Sequence, residues 1–153
     1  MTHVPAIRIA TVNDLDSLLV LMEKLIIEDY EEGRRFDSRK ARRAMQDLLA
    51  DSSLGLVFVV SYTNIAIGYL VLAFGYSLEF GGRDAFLDEF FVDKNYRGRG
   101  LGKKMFVRAE NAAKKLGVKA LHLEVTRNNN LAIQFYRWAG FQDHDRYLMT
   151  KRV

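Results

Sequence analysis

Hydrophobic and polar positions change their period several times along this chain, and each change marks an element. Residues 7–12 alternate as a first strand. Leu15, Leu18, Leu19, Met22, Leu25 and Ile26 then recur at helical spacing. They predict an amphipathic helix running to about Glu32, with Thr11 or Asn13 as its cap. Ser38 is the expected cap of a second helix through Asp51, with Ala41, Ala44, Met45, Leu48 and Leu49 inward. Two apolar runs, 56–62 and 65–74, flank Thr63-Asn64 and predict a hairpin in the sheet centre. Residues 85–92 read as a buried strand after the Gly81-Gly82-Arg83 turn. Leu101, Met105, Ala109, Ala112, Ala113 and Leu116 give a third helix its buried face, and Gly117 ends it. A strand over 121–125, a helix within 128–141 and a last strand over 146–153 complete the order. Together they predict an α/β fold, a sheet of mixed direction with helices on both faces.

Composition narrows this picture. At 153 residues the chain is expected to form a single domain, residues 1–153. The absence of cysteine excludes disulfides, thiol nucleophiles and thiolate metal sites. His3, His122 and His144 are isolated and none has ligand spacing, so no metal is expected. His122 reads as a packed or surface residue. No apolar run approaches the roughly 20 residues a membrane span needs. The first five residues lack a signal-peptide pattern. The expectation is a soluble cytoplasmic protein with no membrane partner.

Charge is unevenly spread. Nine Lys/Arg and only one acidic residue, Glu110, fall between Lys94 and Lys119. That window suits a polyanion: a phosphate-bearing coenzyme, or nucleic acid. The aromatic residues sit mostly in apolar runs rather than among the basic ones, which argues against nucleic acid.

The same window contains Arg97-Gly98-Arg99-Gly100-Leu101-Gly102-Lys103-Lys104, between a strand and a helix start. Three glycines at every second position let backbone N–H groups approach a ligand closely. The helix start adds unsatisfied donors and a positive dipole end. The P-loop pattern fails, because Lys103-Lys104-Met105 offers no hydroxyl for magnesium. The dinucleotide pattern fails on spacing. Gln/Arg-x-x-Gly-x-Gly/Ala fits, through Arg97, Gly100 and Gly102. This resembles the pyrophosphate motif of the GCN5-related N-acetyltransferase (GNAT) superfamily. A second stretch supports it. Asn129, Ala132, Tyr136, Gly140 and Phe141 fall on Asn-x-x-Ala-x-x-x-Tyr-x-x-x-Gly-Phe, which looks like that family's second signature. The close match runs from about Phe86 to Phe141.

The resemblance implies a GNAT-like fold: a mixed, mostly antiparallel sheet in which two strands splay apart around a pantetheine arm. It implies acetyl-CoA as cosubstrate, held by Phe90, Phe91 and Val92, by Arg97, Gly98, Arg99, Gly100, Leu101, Gly102 and Lys103, and by Asn129, Asn130 and Ala132. It makes Tyr136 the acid that protonates the departing thiolate; a core tyrosine packed beside Phe135 is the alternative. It also implies a homodimer, with residues 146–153 as its edge.

Acetyl transfer to an amine needs a base, because an alkyl ammonium is neutral in only about one molecule per few thousand at pH 7. Asp88 and Glu89 lie in an otherwise apolar strand, where a carboxylate is costly unless paired or functional. Alternation points them to opposite faces. Spermidine/spermine-type acetyltransferases carry a similar Leu-acidic-acidic-Phe-Phe-Val-x-x-x-Tyr-Arg-Gly stretch, which places Asp88 at the position of the base. Glu89 is longer and reaches further. Tyr30 and Glu31, in the acidic end of the first helix, are candidates for binding a cationic acceptor; the alternative is a solvated face offset by Arg34 and Arg35. The expected function is acetylation of a primary amine of a small molecule. Acetylation of a protein or peptide, or non-catalytic acyl-CoA binding, is the alternative.

Overall fold

The computed structural model describes residues 4–29 and 35–153. The chain divides into two compact units, Met1–Leu123 and Glu124–Val153.

The first unit is built on five strands in the order β1-β2-β3-β4-β5. They are β1 Ala6–Ile9, β2 Gly55–Tyr62, β3 Ile65–Ser77, β4 Gly82–Val92 and β5 Leu121–His122. β1 to β4 pair antiparallel. β5 joins β4 in parallel, Ala85 opposite Leu121 and Phe86 opposite His122. Val71, Tyr69, Val59 and Val57 alternate onto one face and share a buried cluster with Phe91 and with two helices, α1 Leu15–Asp29 and α2 Ser38–Ala50. The opposite face packs on α3 Leu101–Lys115, which buries Leu101, Met105, Phe106, Ala109 and Ala113. The expected mixed sheet with a helix layer on each face is therefore present.

Details of the ends differ from the sequence reading. Thr11 does cap the start before α1, in a reciprocal box with Asp14 that closes a short 3₁₀ turn, Val12–Asp14. α2 is capped by Asp37, not Ser38: Asp37 Oδ1 accepts the Lys40 N–H at 3.0 Å. The strand expected over 121–125 is only Leu121–His122. The expected extension of α1 to Glu32 lies outside the described residues.

The second unit carries α4, Asn130–Trp138. Asn129 caps it, its Oδ1 accepting the Ala132 N–H at 3.2 Å. Gly140, at φ +94, stops it, and the Phe141 N–H bonds back to the Tyr136 carbonyl at 3.0 Å. The strand expected over 146–153 does not form, and Tyr147, Leu148 and Met149 are exposed. Strand-forming residues become a strand only where a neighbouring edge takes their backbone groups.

No helix among the described residues is long and apolar enough to cross a membrane.

Candidate active site

A β-bulge organises the chemistry of β4. Val71 of β3 pairs with Glu89, but the next residue, Leu72, pairs with Leu87. Asp88 is thus an extra residue with no partner opposite. Cross-strand partners share a face. Leu87 therefore lies with Leu72 on the α3 side, while Glu89 lies with Val71 on the α1–α2 side. The extra residue resets the alternation. Simple alternation therefore does not assign the Asp88 face, and the Asp88 charge acts on Glu89.

The two carboxyls have different surroundings. Glu89 is half-buried and accepts a hydrogen bond at 2.8 Å from the hydroxyl of Tyr69, which is fully buried. Burial pushes the Glu89 carboxyl above the usual range; the Tyr69 bond opposes this and Asp88 adds to it. Asp88 is more open to solvent and makes no hydrogen bond or ion pair with the described residues. Desolvation alone pushes its carboxyl up.

The strand then ends on a third carboxylate. Asp93 is buried, and its Oδ2 lies 2.6 Å from Lys24 Nζ of α1. Its Oδ1 accepts the Asn95 N–H at 3.0 Å and caps a short 3₁₀ turn, Lys94–Tyr96. The Lys24 hydrogen bond first, and the Asn95 N–H second, hold this carboxyl below its usual range. Arg97 follows. Its Nε donates to the Val92 carbonyl at 2.6 Å, a terminal nitrogen pairs with Glu28 near the end of α1, and the guanidinium lies 5.5 Å from the Phe91 ring centre. Its side chain is engaged within the protein, and so is the charge of Glu28.

The glycine turn comes next. Gly98 and Gly100 both have positive φ, +76 and +72, and a Cβ on either would meet nothing within 4 Å. Backbone conformation requires glycine there. Gly102 is different: a Cβ would meet only Phe90 Cζ, at an ordinary 3.5 Å. The fold itself does not demand a glycine at 102. Gly100 is the N-cap of α3 and supplies no side-chain cap, whereas Asp37 caps α2 and Asn129 caps α4. An uncapped helix start behind a glycine turn, with Arg99, Lys103 and Lys104 beside it, suits a pyrophosphate. These residues fit the coenzyme that the motif implies. Leu101 is buried in the α3 face and contributes main chain only.

β5 ends at His122, opposite Phe86. The His122 Nε2 lies 3.2 Å from Asp84 Oδ2 and its ring 5.2 Å from that of Phe80.

Within the second unit, the Tyr136 ring is flanked edge-on by Phe135 and Phe141, at 5.4 and 5.7 Å between centres. Asn129, Asn130 and Ala132 form the start of α4. Tyr30 and Glu31 lie outside the described residues, as does Arg34. A separate cavity of about 820 Å³ runs along Phe36–Asp47, lined by Arg39, Lys40 and Arg43 among others. None of its lining residues comes from β4 or the glycine turn.

Sequence reasoning missed Tyr69, Lys24, Asp93 and Glu28. A detectable signal existed for two of them. Tyr69 is a lone hydroxyl in the apolar run Ile67-Gly68-Tyr69-Leu70-Val71, and Asp93 stands two before Asn95 in a capping pattern. Lys24 and Glu28 look like ordinary helix charges until the tertiary structure supplies their partners.

Known proteins resemble this chain in fold and in part of its sequence. A solved integron cassette protein from the mobile metagenome of Cole Harbour Salt Marsh superposes with a TM-score of 0.84 and 32% identity, over 96% of this chain and 90% of that one. A predicted acetyltransferase from Clostridium acetobutylicum, solved with acetyl-CoA, shares the fold at TM-score 0.83 and 22% identity, over 97% and 96% of the two chains. A probable spermine N(1)-acetyltransferase of Bacillus subtilis subsp. natto is 44% identical over 57 residues, 37% of this chain and 38% of that protein. The match thus spans well under two thirds of that curated relative. The sequence profile of the acetyltransferase (GNAT) family matches residues 19–141, from within α1 through the bulge, the glycine turn and the α4 stop, and on this ground the chain belongs to the GNAT family.

Proposed function

We propose that the protein is an acetyl-CoA-dependent N-acetyltransferase that acetylates a primary amine of a small molecule by direct attack, with both substrates bound together. The observation that carries this reading is the β4 strand end. There a half-buried carboxylate, Glu89, and an uncapped helix start behind a glycine turn follow one another on one short stretch of chain.

When bound, acetyl-CoA supplies an activated acetyl thioester. The main-chain N–H groups of residues 98–103 hold its pyrophosphate, with Arg99 and Lys103 adding charge. Arg97 acts through its main chain, because its guanidinium holds Val92 and Glu28. The main chain of Phe90, Phe91 and Val92 orients the pantetheine arm, and an N–H of Phe91 or Val92 stabilises the oxyanion. The Asn129 side-chain N–H₂ is available to the coenzyme while its Oδ1 caps α4.

Glu89 takes one proton from the substrate ammonium, directly or through a water, and releases it to solvent. The freed nitrogen lone pair forms the new N–C bond as the C–S bond breaks. Tyr136 donates its proton to the departing sulphur and is reprotonated by the second proton leaving nitrogen. Asp88 and Glu31 supply negative charge that attracts a cationic amine, and Tyr30 offers it a hydroxyl and a ring face. The name of the Bacillus relative supports such an acceptor. We also propose a homodimer through residues 146–153, supported by the exposure of Tyr147, Leu148 and Met149. A monomer mass by sedimentation at micromolar concentration overturns it.

A thiol-release assay with acetyl-CoA against a panel of polyamines, amino acids and aminoglycosides tests the reaction. Release above hydrolysis with one class is expected, and Tyr136→Phe should lower its turnover by about 10²–10⁴-fold. Gly102→Ala tests the coenzyme site separately. It should weaken acetyl-CoA binding by calorimetry at unchanged melting temperature, because the fold leaves room for the methyl group. Unchanged affinity overturns the pyrophosphate assignment.

A further inference from the structure

We infer that Tyr69 is a positioning residue for the transfer, one that holds Glu89 in place and keeps it competent as the base. The inference deepens the reading of Glu89 given above and rests on it.

The argument begins with the bulge. In a regular strand Glu89, two residues after Leu87, would share the α3 face with it. The bulge turns Glu89 instead onto the face where β3 presents Tyr69 and Val71. Tyr69 is a diagonal neighbour across the strand pair, since its direct partner is Phe91 and the partner of Val71 is Glu89. Its ring is fully buried and packs 6.4 Å from that of Phe91. Phenylalanine would fill the same apolar space. What the tyrosine adds is a hydroxyl, and a buried hydroxyl needs a partner. That hydroxyl donates to Glu89 Oε2 at 2.8 Å.

Two consequences follow for the reaction. The bond fixes Oε2 and leaves Oε1, which makes no hydrogen bond with the described residues, to face the amine or a relay water. A donor to a carboxylate also favours the charged form, against burial and against the Asp88 charge, both of which favour the protonated form. A protonated Glu89 accepts nothing from an ammonium. Tyr69 therefore favours the ionised base in a place that opposes ionisation. The other ionisable groups placed at this end of the unit, Lys24, Asp93, Arg97 and Glu28, are engaged with one another or with main chain: Lys24 with Asp93, and Arg97 with Glu28 and Val92.

The test is Tyr69→Phe, read by two methods. Carbon-13 NMR of labelled glutamate follows the Glu89 carboxyl directly, with Glu89→Gln assigning its signal; the pH profile of kcat/KM follows the reaction. The expected result is an upward move of the Glu89 midpoint and of the acidic limb of the profile together. Activity on the acidic limb should fall about tenfold, recover at higher pH, and leave acetyl-CoA affinity unchanged. An unmoved Glu89 midpoint overturns the inference whatever the activity does. A midpoint that moves while the limb stays overturns Glu89 as base, and with it any role of Tyr69 in turnover. If Tyr69→Phe does not fold, a ring-fluorinated tyrosine at 69 keeps the shape and makes a stronger donor. It should move both midpoint and limb downward, and no movement overturns the inference.

Discussion

Glu89 and Asp93 stand at the same end of one strand and have opposite electrostatic fates. Asp93 meets a cation, Lys24, and a backbone N–H, and its carboxyl is held below the usual range. Glu89 meets a neutral hydroxyl and a second carboxylate, and its carboxyl is pushed above it. Neither difference lies in the strand itself. The Asp93 position faces α1 and closes the strand against it. The Glu89 position is reached through a bulge and meets no cation among the described residues. A carboxylate given a full set of partners stabilises the fold; one given only a positioning partner costs stability and keeps its reactivity.

The largest expected break in this comparison is catalytic. Glu89→Gln should lower kcat/KM at neutral pH by about 10²–10³-fold, with the loss shrinking at high pH where the amine deprotonates unaided. Asp88→Asn should cost less, because that carboxyl attracts the amine and does not receive its proton. Equal losses in the two, from steady-state kinetics across pH, would make the pair and not Glu89 the base.

Asp93→Asn should leave the pH–rate profile in shape and lower stability by about 1–3 kcal/mol at neutral pH. The wild-type advantage should be full above the ordinary aspartate value of 3.8 and vanish as pH falls through the lowered folded value. Thermal melts of both proteins between acid and neutral pH read this directly.

The opposite sign is expected at Glu89. Its raised folded pKa means the folded state binds that proton more tightly. The resulting stability is complete below the ordinary value of 4.5 and is lost as pH rises through the folded one. Glu89→Gln, which stays neutral throughout, should therefore be at least as stable as wild type at neutral pH while being less active. A clear loss of melting temperature would make Glu89 a structural carboxylate like Asp93.

The smallest effect belongs to Glu28→Gln. Both partners of the Arg97–Glu28 pair reach solvent, so its removal should cost under about 1 kcal/mol by denaturant titration. A larger loss would mean that the clasp on α1 carries more of the strand end than Asp93 does.

The chain announces much of this in its sequence. Hydrophobic periodicity located three helices and the sheet strands, because burial of one face requires a repeat of matching period, though it also suggested a strand over 146–153 that does not form. The two motifs placed the glycine turn before α3 and Asn129 at the start of α4, where local capping geometry suffices. Asp88 and Glu89 stood out as charges in an apolar strand. Tyr69, Lys24 and Glu28 did not, since their partners lie far along the chain: Lys24 is 69 positions from Asp93, and Glu28 as far from Arg97.

What the sequence determined by itself was thus local: which segments form helix or strand, where glycine must bend the backbone, and which family motifs are present. Tertiary structure alone decided the rest. A bulge arises from the register of two strands, so no single strand's alternation reveals that Asp88 is the extra residue or that Glu89 turns toward Tyr69. A segment with strand-like residues, 146–153, forms no strand, because a strand depends on a neighbouring edge and not on its own residues alone. The ionisation of each carboxylate follows from what packing brings beside it, and packing brings together residues that the sequence keeps apart.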